Sequence, residues 1–230
     1  KISMIKYLKK IFTDFPEEIR GKAATPAADH LFKVREDKKK LPEEQAQAFQ
    51  STVAQLVFLC KRARPDIQTP VLFLTKRVRE PDEDDWGKLK RVLKYLKGTM
   101  YMKLVLRADS LNSMEWWVDA SYGTHWDMKG HTGMVMSLGK GAVMSASRAQ
   151  KINARSSTEA ELVGIDDMIP KMMWGMYFLE GQGYTIEHNI LYQDNKSTIL
   201  LVCNGRMSSS KCTEHIWHQY FLVKDRIDQG

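Results

Sequence analysis

At Gly98 the spacing of apolar residues changes from helical to strand-like, and this limits the chain to a helical block followed by a sheet-containing one. Before Gly98, Phe49, Val53, Leu56, Val57 and Cys60 predict a helix from about Leu41, with Pro42 suited to its first turn and Pro65 ending the run. A second helix is predicted over Ile67 to Arg77 and a third over Asp84 to Lys97. In the third, Trp86, Leu89, Val92, Leu93 and Leu96 form one apolar stripe, and Asp82, Glu83, Asp84 and Asp85 sit where negative charge favours the helix dipole. Upstream, Ile5, Leu8, Ile11 and Phe12 predict a short helix that Pro16 ends. A loop around Gly21 to Pro26 and the charged run Lys33 to Lys40 follow, so this opening reads as the tail of something larger.

Downstream of Gly98, strands are predicted over Met100 to Leu106 and Met114 to Ala120, with a turn from Gly123 to Gly130 and His131. Thr132 to Leu138 and Ala142 to Ser147 predict two more strands joined by a hairpin turn at Gly139-Lys140-Gly141. Ser156, Ser157 or Thr158 can cap a long helix whose core face is Leu162, Ile165, Ile169, Met172, Met173 and Met176, bent at Pro170 and stopped at Gly181-Gln182-Gly183. Then come a strand over Ile190 to Asp194, a helix from about Lys196 to Cys203, a Ser-rich loop at Ser208 to Lys211 and a last helix from about Glu214 to Ile227. The fold class expected is α/β, a mixed sheet with packed helices preceded by a small, mainly helical domain.

Three acids stand at the junctions of this pattern. Asp119 and Asp194 close short apolar runs that read as buried strands, and Glu161 lies at the start of the long helix. That layout can bring three carboxylates to one edge of a sheet, where they repel unless divalent cations neutralise them, and a two-metal phosphodiester-cleaving site follows. Each acid also has a local explanation: Asp119 as a turn residue, Glu161 as part of a capping box with Glu159 as the other candidate, Asp194 as the N-cap of the next helix.

The net charge of +7 favours a polyanionic partner. Lys88, Arg91, Lys94 and Lys97 on the third helix, with Lys90, are placed to neutralise phosphates; an amphipathic core helix with a solvated basic face accounts for the same pattern. No apolar run approaches the roughly 18 to 20 residues that span a bilayer, so no membrane partner is expected. Cys60, Cys203 and Cys212 are too few and scattered for a zinc site or a disulfide framework, which points to a reducing compartment. His125 and His131 flank the turn beside the first acid, and His215 and His218 share one side of the last predicted helix, where His215 is a candidate for substrate contact.

The same residues carry a family resemblance. Trp117-Val118-Asp119-Ala120-Ser121-Tyr122, Gly130-His131-Thr132-Gly133, Ser156-Ser157-Thr158-Glu159-Ala160-Glu161-Leu162, Tyr192-Gln193-Asp194-Asn195 and His215-Ile216 resemble the ribonuclease H domain of copia-type LTR retrotransposon polyproteins. Ala24-Thr25-Pro26-Ala27, Arg64-Pro65-Asp66-Ile67 and the run from Leu89 to Thr99 resemble the end of the same elements' reverse transcriptase. The resemblance implies a reverse transcriptase tail over 1–40, a thumb or connection region over 41–108 and a C-terminally incomplete ribonuclease H-like domain over 109–230, since family members place a further strand and a fourth metal-binding aspartate after the last helix and the sequence to Gly230 is short of both. It implies hydrolysis of the RNA strand of RNA:DNA hybrids by two Mg²⁺ ions, Mn²⁺ substituting, held by Asp119, Glu161 and Asp194. Glu161 is preferred to Glu159 because it stands immediately before Leu162. Other parts of the polyprotein or a larger assembly are the implied protein partners, in the cytoplasm within a virus-like particle or in the nucleus. No polymerase Tyr-x-Asp-Asp motif is present. The alternative function is a fragment that keeps the fold and basic track as a nucleic-acid-binding or structural subunit without turnover.

Overall fold

The computed structural model describes residues 1–35, 37–204 and 223–225. The chain divides into two compact units, Lys1–Val105 and Leu106–Gly230.

The first unit is built from α1 (Ile5–Asp14), α2 (Glu43–Arg62), α3 (Gln68–Thr75) and α4 (Glu83–Gly98). Leu8, Ile11 and Phe15 are buried with Phe49, Val53, Leu56, Leu89, Val92, Leu93 and Leu96, so residues 1–40 share one core with the helices that follow. The start of α4 is fixed chemically. Asp82 accepts the Asp85 N–H at 2.9 Å, Asp85 accepts the Asp82 N–H at 3.2 Å, and Arg77 donates to both carboxylates at 2.9 and 3.2 Å. The single helix expected over 67–77 is instead a 3₁₀ turn at Pro65–Ile67 leading into the shorter α3. The expected strand at Met100 to Leu106 does not form. Only Leu104 makes a bridge, to Ile2, and Tyr101 and Met102 are exposed, so the apolar run has no sheet to join.

The second unit holds β1 (Arg107–Ala108), β2 (Ser113–Ser121), β3 (His131–Ser137), β4 (Gly139–Lys140), β5 (Met144–Ala149), α5 (Ser157–Gly181), β6 (His188–Tyr192) and α6 (Lys196–Asn204). Its main sheet has the order β5-β3-β2-β6, antiparallel except for the β2–β6 pair. The chain is therefore α/β with a mixed sheet, as its periodicities imply. Gly139-Lys140, expected as a hairpin turn, is β4 and pairs with β1 in a separate two-stranded ladder; β5 consequently starts at Met144. β2 alternates strictly: Met114, Trp116, Val118 and Ala120 are buried, and Trp117, Asp119 and Ser121 are exposed. Met114, Trp116 and Val118 pack with Leu162, Ile165, Met168, Ile169 and Met172 of α5, which runs through Pro170. At Gly175 a Cβ would stand 3.0 Å from the Met114 methyl and 3.2 Å from the Trp116 ring, so the helix sits directly on the strand. The Ser-rich loop at 208–211 lies outside the described residues, as does all of the predicted last helix save Val223, Lys224 and Asp225, which are helical.

Candidate metal centre

The site forms where β6 leaves β2. The last residues paired between them are Trp117 and Tyr192, whose rings stack with centroids 5.1 Å apart. Beyond that rung β2 continues through Asp119 to Ser121, while the other chain turns through Gln193, Asp194 and Asn195 into α6. β2 therefore has two backbone groups without a strand partner, and side chains take them: the Gln193 Nε2 donates to the Val118 carbonyl at 3.4 Å, and the Ala120 N–H donates to the Glu161 carboxylate.

The N-terminus of α5 delivers Glu161. Ser156 is the cap, its hydroxyl accepting the Glu159 N–H at 3.1 Å, and Glu159 reaches back to accept the Arg155 N–H at 2.6 Å. The capping role thus falls to Glu159, which leaves Glu161 to point at the strand. At the other end, Asn195 caps α6 by accepting the Thr198 N–H at 3.0 Å, so Asp194 is not the cap.

The carboxylate oxygens of Asp119, Glu161 and Asp194 lie within 4.8 Å of one another; the two aspartates are exposed and the glutamate is buried, at 6 % exposure. Burial pushes the Glu161 carboxyl up from its ordinary 4.5 to about 6, with the neighbouring charges of Asp119 and Asp194 adding to the rise and hydrogen bonds from Gln193 and Ala120 opposing it. The donor set is all hard oxygen, three acids facing one another with no cation from the chain among them in the described hydrogen bonds and ion pairs, the kind of set that could hold a hard divalent cation.

The predicted phosphate contacts divide. Lys88 is buried: its ammonium donates to the Lys33 carbonyl at 2.6 Å, pairs with Asp84 at 2.9 Å and lies 4.9 Å from the Phe73 ring centroid. It is a structural lysine of the first unit and presents no charge to a phosphate. Lys97 is exposed, though its ammonium donates to the Ile19 carbonyl. Arg91 and Lys94 line a cavity of about 550 Å³ with Lys22 and His30, and Arg91 donates to Thr25 at 2.9 Å. His215 and His218 lie outside the described residues. His125 and His131 are buried and hydrogen-bonded to each other at 2.9 Å, and His131 contacts the Ser147 hydroxyl of β5 at 2.7 Å.

Sequence reasoning gave Gln193 no role, although it contacts Glu161 directly. Its position one residue past the last paired rung and one before Asp194 is the signal that identifies it.

No protein-family profile matches the chain, and no solved structure does. Among curated proteins it is similar to the retrovirus-related Pol polyprotein from transposon TNT 1-94 of Nicotiana tabacum, with 28 % identity over 99 % of this chain and 17 % of that protein. It is similar to the retrovirus-related Pol polyprotein from transposon RE2 of Arabidopsis thaliana, 30 % identical over 73 % of this chain and 12 % of that protein. It also resembles a putative transposon Ty5-1 protein of Saccharomyces cerevisiae, 34 % identical over 53 % of this chain and 40 % of that protein. The chain thus spans less than half the length of each.

Proposed function

Because the chain is homologous to the Pol polyproteins of copia-type retrotransposons, we propose that its second unit is a metal-dependent ribonuclease H acting on RNA:DNA hybrids, and that its first unit is the thumb or connection end of a reverse transcriptase. The observation that carries this is the meeting of Asp119, Glu161 and Asp194 from three different elements at the point where β6 parts from β2. The order of strands and helices in the second unit, three sheet strands, a long helix, a parallel strand and a helix, supports a ribonuclease H-like sheet.

Asp119, Glu161 and Asp194 would hold two divalent cations, Mg²⁺ with Mn²⁺ able to replace it. When bound, such ions lower the pKa of water and offset the charge that builds on a phosphodiester under attack. The chain's own part is to hold the acids ready. Asp119 and Asp194 are open to solvent and to a phosphate, and Glu161 is oriented by the Ala120 N–H and the Gln193 amide. Discrimination of RNA from DNA rests on contact with the 2′-hydroxyl.

The test is incubation of the purified chain with Mg²⁺ and a hybrid labelled on the RNA strand, beside Asp119→Asn, Glu161→Gln and Asp194→Asn. Magnesium-dependent cleavage lost in all three variants supports the proposal. Tight hybrid binding without cleavage in the unaltered chain refutes it in favour of a binding subunit.

A further inference from the structure

We infer that Gln193 is a positioning residue for the metal centre, setting Glu161 and Asp194 relative to each other; this rests on the metal-dependent reading above. Its amide works in both directions. Nε2 donates to Glu161 Oε2 at 3.2 Å and to the Val118 carbonyl at 3.4 Å, and Oε1 accepts the Asn195 N–H at 2.9 Å. One side chain therefore ties together β2, α5 and the entrance to α6, the three elements that supply the acids.

The tie closes on itself. Asn195 accepts the Thr198 N–H at 3.0 Å, and the Thr198 hydroxyl donates to the Thr158 carbonyl at 3.3 Å, one turn of α5 before Glu161. The path Glu161–Gln193–Asn195–Thr198–Thr158 is a ring of hydrogen bonds and helix turn, with the Asp194 backbone held between two of its members. Strand alternation explains the division of labour: Tyr192 stacks on Trp117 at the exposed face, and Gln193 turns to the α5 side, where it lines an apolar cavity of about 470 Å³ with Trp116, Ile165 and Leu191. Only a primary amide of this length meets all three partners. Glutamate keeps the acceptor and loses the donors, and methionine keeps the length and apolar contact and loses both.

The experiment measures Mn²⁺ binding calorimetrically on the full chain, with hybrid cleavage and thermal unfolding as companions, for the unaltered protein, Gln193→Met and Gln193→Glu. Loss of an outer hydrogen bond to a metal-binding carboxylate weakens metal affinity roughly 10- to 100-fold. Gln193→Met is expected to show that loss in Mn²⁺ affinity and the same rise in the Mg²⁺ concentration giving half-maximal cleavage, with KM for the hybrid unchanged. A merely structural role would lower the unfolding temperature and leave the Mn²⁺ affinity of the folded protein alone. Unchanged affinity in Gln193→Met, with the unaltered chain binding normally, overturns this inference only. Absence of Mn²⁺ binding in the unaltered chain overturns the metal-dependent reading and the inference with it. Gln193→Glu places a fourth carboxylate beside Glu161 and serves only as a charge control; if Gln193→Met does not fold, Gln193→Asn, an uncharged amide one methylene too short to meet all three partners, is read by the same two outcomes.

Discussion

Replacing Glu161 by glutamine should stabilise the second unit when metal is withheld, the reverse of what losing a native side chain ordinarily does. The Glu161 carboxyl is buried and faces Asp119 and Asp194, and its titration point rises from 4.5 to about 6. In the unfolded chain the group ionises at its ordinary value. Between pH 4.5 and about 6 the folded state therefore holds a proton that the unfolded state has lost, and stability falls as pH rises through that window. At about 1.4 kcal/mol for each pH unit, the deficit at pH 7.5 is about 2 kcal/mol. Glutamine carries no charge to desolvate and can still accept the Ala120 N–H, so Glu161→Gln should recover about 1–2 kcal/mol, or roughly 3–8 °C in a unit of this size. Scanning calorimetry in chelator across pH 4.5 to 7.5 reads it directly: the unaltered chain should lose stability with rising pH, and the variant much less. Excess Mg²⁺ should invert the order, because only the intact site gains binding free energy. A flat pH profile in the unaltered chain, with Glu161→Gln the less stable at every pH, would refute the idea that uncompensated charge is stored at this site.

Other consequences are as accessible. Arg77→Ala strips the guanidinium from Asp85, which is 1 % exposed, and should cost about 3 kcal/mol in urea denaturation of the first unit; adding Asp85→Asn should return part of it. Gly130→Ala drives a Cβ into the Gln150 side chain and to 2.7 Å from the Ser121 carbonyl, so a loss of about 1–3 kcal/mol is expected by the same assay, and wild-type stability would contradict that close approach. Lys94→Ala should weaken hybrid binding and reduce its salt slope by about one, whereas Lys88→Ala should leave the slope unchanged and lower stability instead; fluorescence anisotropy across a salt series separates the two.

What was legible in the residues was whatever local spacing controls. The stripe of α4 and its acidic cap follow from side chains a few positions apart, and so does the meeting of the acids, because a carboxylate at a strand end or a helix start has a definite place in a sheet; β2 and β6, by contrast, read as buried runs, yet β2 leaves Trp117 exposed and β6 is largely exposed. What depends on distant partners was not. The ladder of β1 and β4 is two residues long on each side and has no pattern to detect. Met100 to Leu106 looks like a strand by composition, yet a strand requires a neighbour, and only Ile2 is there for Leu104. Lys88 sits at the margin of an apolar stripe, where a long stem can pack on Phe73 while its ammonium finds Lys33 and Asp84; helical spacing alone does not separate that from a solvated lysine. Gln193 belongs with these, because its importance lies in reaching β2 and α5 at once.

The most direct test of the metal centre is anomalous diffraction from crystals of the chain soaked in Mn²⁺. Peaks flanked by Asp119, Glu161 and Asp194, displaced by chelator and missing in Glu161→Gln, are the predicted result. Manganese bound elsewhere on the molecule while density between those three carboxylates stays blank would contradict it.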